Sequence, residues 1–321
     1  MPNVRDAART LLAVALCALA RLSPARAGVA VVYHRVGGAG GDSTREILAA
    51  VSDDSFRRQL RHLRRHYRVV PANELLGAVR RRRRGQRFPA AVTFDDDLAG
   101  HLQNALPALQ EAGVPATFFL GGTSLTGPHR FWWDDLQRAV DGRLVEANGV
   151  PHVAEADVRA ALAHSPKAIF RMAATIERLE RPKRQETVAA LRAAAGPPDE
   201  DEGLPANDIR ALVAGGAKLG FHTLRHELLT DLPDDELAQA LREGRDELAA
   251  VTGTRLDAIS YPHGRADARV ARAAREAGFA YGFVTARGRV DADTDPLLIP
   301  RIPPALSPGK TALRLARAVA Q

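Results

Sequence analysis

Two short stretches carry residue types that bind metals and move protons: TFDDD at residues 93–97 and HTLRH at 222–226. Three adjacent carboxylates repel one another, and burying them without a compensating partner costs several kcal/mol each. The second stretch sets His222 and His226 four residues apart, a spacing that turns both imidazoles the same way on one helical turn. Imidazole and carboxylate together suit zinc, iron, cobalt or nickel. A catalytic zinc commonly keeps three protein ligands and an open position for water, and two histidines with one aspartate meet that count. Neither stretch decides the matter alone. HxxxH is a common spacing, and Asp97 is placed to cap a helix starting at Leu98. Their contexts agree, however: each follows an apolar run that reads as a strand, and α/β proteins assemble sites at the carboxyl ends of strands.

The elements that must hold these residues alternate between strand and helix signals, which predicts an α/β protein with a largely parallel sheet. Strands are expected at Val29–Tyr33, Ala91–Phe94, Ala116–Leu120, Lys218–Phe221, Ala258–Tyr261 and Tyr281–Val284, with shorter ones at Val69–Val70 and Leu297–Ile299. Helices are expected at Ser55–His66, Leu98–Ala112, Leu232–Val251 and Asp267–Ala277. About a hundred residues with helical patterning separate Leu120 from Lys218, far more than a crossover needs. They predict a helical insertion over 123–205, placed over one end of the sheet. Its FWWDDL (131–136) holds both tryptophans of the chain, read as packing in preference to a stacking wall for a ring-shaped ligand.

At 321 residues, 45% hydrophobic, the chain can bury a sizeable core without disulfides, and its single Cys17 cannot form an internal one. The net charge is 45 − 38 = +7, concentrated in part at Arg80–Arg84 and Arg87. No aromatic residues interleave with these arginines and no nucleic-acid motif occurs, so nucleic acid is not an expected partner. Residues 1–27 combine Arg5 and Arg9 with LLAVALCALA (11–20) and a small-residue Ala25-Arg26-Ala27. Two readings stand: a secretory signal, or an amphipathic helix that packs on the domain or touches a membrane surface. Export or membrane association and a cytoplasmic location are therefore both compatible with the sequence. Ten apolar residues are too few to span a bilayer.

In order along the chain, TFDDD, HTLRH and SYPHG (260–264) resemble the motifs of the polysaccharide deacetylases, the NodB-homology or carbohydrate esterase family 4 proteins. ALPALQEAGVPATFFL (105–120) fits the same pattern, and VVYHRV (31–36) with SFRRQLRHLRRHYRVV (55–70) resembles the branch that begins with a Tyr-His pair. The resemblance covers roughly 29–121 and 217–302 and implies a distorted (β/α)7 barrel; the chain is expected to divide into that barrel at 28–122 and 206–304 and a C-terminal helix at 305–321. It implies a hydrolase of carbon–nitrogen bonds other than peptides, removing acyl groups, usually N-acetyl, from amino sugars. It also implies roles: Asp95 as general base, Asp96, His222 and His226 as ligands of a divalent cation (zinc first, with cobalt, nickel or iron as alternatives), and Thr223 as a hydroxyl supporting the histidine loop. The oxyanion is expected to lie against backbone N–H groups near Tyr261.

Three departures accompany this resemblance. Asp97 stands where the family usually has glycine, and is read as a helix cap. Ser260 stands where the family's base-orienting arginine would be, with Arg301 as the substitute. No histidine follows His263, so the family's late general acid is missing; His34, or else His263, is the candidate to protonate the leaving amine. The departures leave two other functions open: hydrolysis of a small non-sugar amide or imide on the same site, and a non-catalytic carbohydrate-binding relative. His62 and His66 repeat the four-residue spacing on an arginine-rich helix and are read as a solvated face. His101 is read as lining the site or lying on the surface.

Overall fold

The computed structural model describes residues 4–198 and 203–321. Among the described residues, nine strands form one sheet: β1 (Ala27–Tyr33), β2 (Arg68–Val69), β3 (Pro89–Asp95), β4 (Ala116–Leu120), β5 (Lys218–Phe221), β6 (Ala258–Ser260), β7 (Tyr281–Thr285), β8 (Val290–Asp291) and β9 (Ile299–Arg301). The order is β8-β1-β3-β4-β5-β6-β7-β9, with β2 on β3. Every neighbouring pair from β1 to β9 is parallel, and only β8 runs antiparallel to β1. Just past β9, Ile302 N donates to Ala30 O at 2.8 Å and Ile302 O accepts from Val32 N at 3.2 Å. The last strand thus returns beside the first, and the parallel strands form the distorted (β/α)7 barrel of the NodB type.

Strands in such a barrel are covered on both faces, which is why β1 and β3 are buried at every position. Alternation along each strand sorts the side chains. Val29, Val31, Tyr33, Val92, Phe94 and Phe118 join the outer core under the helices, where Phe94 and Phe118 stack 4.5 Å apart. Ala30, Ala91, Phe119, Ala258, Phe283 and Ile299 form a second cluster, on the opposite faces of the same strands. The helix Ala72–Arg81 closes that interior near the strands' beginnings: a side chain at Gly28 would collide with Val79 Cγ2 at 2.7 Å, and Ala72 N donates to Thr117 Oγ1.

Several boundaries differ from the sequence reading. The helix expected at Leu98–Ala112 begins as a π-turn, His101–Ala105, and continues as α-helix over Leu106–Ala112. Pro107 lacks the N–H that a regular turn would use there. The helix expected over Leu232–Val251 is two, Asp234–Ala240 and Arg245–Thr252, because Gly244 turns left-handed at φ 78°. The last strand lies two residues later than expected, which brings Arg301 into it. His62 and His66 are half-buried, not a solvated face: their rings lie 4.7 Å apart and burial lowers the His62 pKa to about 4.

The N-terminal segment is a helix, Val4–Arg21, docked on the barrel unit. Asp6 accepts from Gly309 N and from the Ser307 hydroxyl, Cys17 Sγ lies 3.1 Å from the Tyr67 hydroxyl, and Arg21 donates to His66 O at 2.8 Å. Among the described residues no helix is long and apolar enough to cross a membrane.

The chain divides into two compact units, the barrel (1–39, 51–126, 204–321) and a second unit of 40–50 with 127–203. The sequence reading left 40–50 inside the barrel. They belong with the insertion because Lys167 N donates to Thr44 O and Ile47 N to Gln137 Oε1. Within the second unit Phe131 and Trp133 are buried and stack 4.6 Å apart, so these rings pack.

Candidate active site

The three aspartates leave β3 together, and all three are buried, at 2–3% exposure. Three separate partners resolve their repulsion. Along β3 the alternation that turns Ala91 into the barrel also turns in Thr93 and Asp95; on β6 it turns in Ser260 after Ala258, and on β9 Arg301 after Ile299. Those three strand ends meet. Arg301 holds Asp95 bidentately, Nη1 to Oδ1 and Nη2 to Oδ2, each at 2.6 Å. Ser260 Oγ closes the triangle, donating to Asp95 Oδ2 at 2.9 Å and accepting from Arg301 Nη2 at 2.7 Å. Burial pushes the Asp95 carboxyl up, but the Arg301 charge, with His222 behind it, outweighs that and holds its pKa at about 2. Arg301 is itself fully buried, above Phe119 and Phe283.

Asp96 takes a left-handed backbone, φ 75°, so the chain turns out of the strand and its carboxylate leaves the barrel axis. It points between two imidazoles: Asp96 Oδ1 is 3.4 Å from His222 Nε2 and 3.6 Å from His226 Nε2. Thr223, His226 and His263 are left-handed as well, at φ 59°, 49° and 58°. Each such residue costs about 1–3 kcal/mol, a strain characteristic of functional sites. His222 Nδ1 lies 2.8 Å from Ser260 O, an acceptor only, so Nδ1 carries the proton and Nε2 keeps its lone pair towards Asp96. Burial raises the Asp96 pKa, yet the two histidines override it and hold it well below the usual carboxylate range. Burial lowers His222, but Asp95 and Asp96 raise it overall; burial and the neighbouring histidine charges push His226 down.

These three side chains fit a divalent cation. Their ligand atoms all lie within 4.8 Å of one another, and Asp96 Oδ1 is buried with no hydrogen-bond partner. Neither imidazole makes a hydrogen bond to Asp96 Oδ1, and the 3.4 and 3.6 Å separations approximate the edge of a tetrahedron with bonds near 2.0–2.1 Å, about 3.3 Å.

Asp97 is not the cap of the helix that follows. That helix starts at Gly100–His101 with no side-chain cap, and Asp97 points instead to the loop after β4. It accepts from Gly122 N at 3.4 Å, Thr123 N at 3.0 Å and Thr123 Oγ1 at 2.6 Å. Burial raises its pKa despite these bonds. Gly121 is confined in the same loop, since a Cβ there would lie 2.7 Å from Thr223 O and 3.4 Å from Asp97 Oδ2. Asp97 therefore ties the loop after β4, which touches the histidine loop, to the carboxylate loop. Asp97→Ala is expected to lower stability by about 1–3 kcal/mol, because two backbone N–H groups and a hydroxyl lose their acceptor. Asp97→Asn, which retains an acceptor, should recover most of it. A denaturant midpoint unmoved by Asp97→Ala would refute the tie.

Other expectations fare unevenly. The Tyr261 N–H is committed to the sheet, donating to Phe283 O at 3.1 Å, so it is not an oxyanion donor; the ring is buried with its hydroxyl on Leu297 O. The Thr223 hydroxyl is buried without a hydrogen-bond partner, so Thr223 supports its loop through its left-handed backbone and not through its hydroxyl. His101 is fully buried and not on the surface. Its Nε2 lies 3.1 Å from His34 O, its ring packs on Phe94 and Phe118, and burial lowers its pKa to about 4. His34 follows the end of β1, half-buried, and its charge acts on both Asp95 and Asp96. The His263 ring lies 4.8 Å from that of His226. Sequence reasoning treated Ser260 only as a missing arginine; the period-two alternation on β6 was the signal that it faces Asp95.

A parallel barrel with a buried carboxylate–guanidinium pair beside an Asp-His-His cluster, all at the strands' carboxyl ends, defines a barrel hydrolase. A family model described as polysaccharide deacetylase matches residues 82–282, and the chain belongs to that family, hydrolases of carbon–nitrogen bonds other than peptides. Among solved structures, the Streptococcus pyogenes deacetylase PplD in complex with acetate is similar, with a TM-score of 0.60 and 16% identity over 92% of this chain and 99% of that one. IcaB from Ammonifex degensii gives 0.57 and 17% over 92% and 97%. A polysaccharide deacetylase from Bacillus cereus gives 0.55 and 16% over 91% and 69%. At these identities the likeness concerns the fold. No curated protein matches the chain.

Proposed function

We propose that the chain is a metal-dependent deacetylase that removes N-acetyl groups from an amino sugar within a polysaccharide. The observation that carries this reading is the orphaned Asp96 Oδ1, buried between two imidazole Nε2 atoms at 3.4 and 3.6 Å. Asp96, His222 and His226 would hold the cation, zinc being the first choice for this donor set. A divalent cation there polarises an amide carbonyl and lowers the pKa of water. Asp95 serves as general base, ionised at every working pH by Arg301 and oriented by the two bonds from Arg301 and the one from Ser260. His34, at the end of β1, is the residue that returns a proton to the departing amine. The apolar outer face of the N-terminal helix supports peripheral contact with a membrane as part of the same reading.

The test measures acetate released from N-acetylated fragments of chitin, peptidoglycan and exopolysaccharide, before and after chelation and metal return. Activity is expected to fall on chelation, return with zinc, and rise with oligosaccharide length. Asp96→Ala is expected to lose both metal and activity. A purified Asp96→Ala protein with stoichiometric metal would overturn the ligand assignment, and small amides outperforming every oligosaccharide would overturn the substrate.

A further inference from the structure

Among the described residues, five of the six exposed large apolar side chains lie on one element or its immediate end: Val4, Leu11, Leu12, Leu19 and Leu22, 47–83% exposed. At 100° per residue they fall within a sector of about 100° on the helix Val4–Arg21, while the buried Ala13 and Cys17 occupy the opposite side. The inner face is fully accounted for by docking on the barrel; the outer face is apolar over the helix's whole length, about 27 Å.

What surrounds this stripe is basic. The side chain of Arg82 is buried against the helix end, donating to Ser23 O at 3.1 Å and Arg21 O at 3.2 Å, and Gly85 N donates to Arg21 O at 2.8 Å. These bonds hold the turn that carries the exposed Arg83 and Arg84 against the helix end, where Leu22 and the exposed Arg26 follow in sequence. Arg5 borders the stripe at the other end. The helix's only acid, Asp6, is turned inward to Ser307 and Gly309.

We infer that this face seats the enzyme on an anionic lipid surface, with the leucines in the acyl boundary and Arg26, Arg83 and Arg84 on the head groups. The inference extends the membrane contact proposed above and does not depend on the deacetylase chemistry. A second copy of the chain fits less well: pairing two such stripes brings arginines together in either relative direction, because both ends are basic. The Val4 end of the helix lies by Ser307, after the carboxyl end of β9, and the other end leads into the start of β1. The helix therefore runs along the barrel wall, from the side of the strands' carboxyl ends to that of their beginnings.

Sedimentation of the full chain with vesicles of phosphatidylcholine, alone or with about one-third phosphatidylglycerol, tests this. Binding to the anionic vesicles is expected, with little to the neutral ones. Leu11→Glu with Leu19→Glu is expected to weaken it about tenfold or more, with the thermal midpoint checked. Arg83→Glu with Arg84→Glu, in an exposed turn, is expected to weaken it comparably and keeps the test decisive if the leucine variant unfolds. Equal binding to both vesicle types would overturn the anionic specificity while leaving membrane contact standing. No binding to either, or a dimer that the leucine substitutions dissociate without changing vesicle binding, would overturn the membrane reading altogether.

Discussion

Arg301→Ala is expected to destabilise the barrel by about 3–5 kcal/mol, because it leaves the Asp95 carboxylate buried with its main counter-charge removed. Its effect on pH dependence is the more specific result. In the native protein, burial alone would raise the Asp95 pKa, and the guanidinium reverses that to about 2. The folded value lies below the unfolded one, so the pair contributes stability that is fully present above about pH 4 and is lost as pH falls towards 2. Without Arg301 burial acts with less opposition, and the Asp95 pKa moves up. The acid limb of turnover is then expected to shift to higher pH, and the acid side of the stability curve with it. Arg301→Lys keeps a charge but not the fork that meets both carboxylate oxygens and Ser260 Oγ, so it should give a smaller shift. An acid limb unmoved in both variants, in kcat/KM against pH, would show that Arg301 does not control the base.

Asp95→Asn is expected to lower turnover by about 10²–10⁴-fold, the usual contribution of a general base, while the protein keeps its metal. The change is nearly isosteric, and the amide oxygen still accepts from Arg301, so the fold should survive it. Asp95 takes no part in the Asp96–His222–His226 cluster, so metal content should match wild type. This separates the two adjacent carboxylates: Asp95→Asn loses chemistry with metal present, and Asp96→Ala loses metal. Elemental analysis beside acetate release reads both. A metal-replete Asp95→Asn enzyme with near-native turnover would remove Asp95 from the role of base.

Much of the architecture was legible because it follows from local patterns. Runs such as AVTF and ATFFL marked β3 and β4, since a strand covered on both faces is apolar at nearly every position and takes β-branched threonine where its hydroxyl finds a partner. β8 escaped because two paired residues leave no periodic signal. The π-turn at His101–Ala105 and the break at Gly244 escaped because they alter helical geometry without altering helical periodicity. The grouping of residues 40–50 with the insertion rests on contacts to Gln137 and Lys167, about a hundred residues away.

The sequence by itself determined which side chains are available: three carboxylates in a row after one strand, two histidines after another, and an arginine near the last. The motif resemblance implied separate roles for Asp95 and Asp96, but the residues themselves did not apportion the aspartates, and Asp97 was read wrongly as a cap, because identical neighbours differ only in where the backbone sends them. The tertiary structure decided that. The extended geometry of β3 sends Asp95 to a guanidinium 206 positions away, the left-handed turn at Asp96 sends the next carboxylate to the histidines, and Asp97 reaches the loop at Gly122 and Thr123. Each assignment depends on a partner delivered by a different strand of the closed barrel, and no local pattern encodes that meeting.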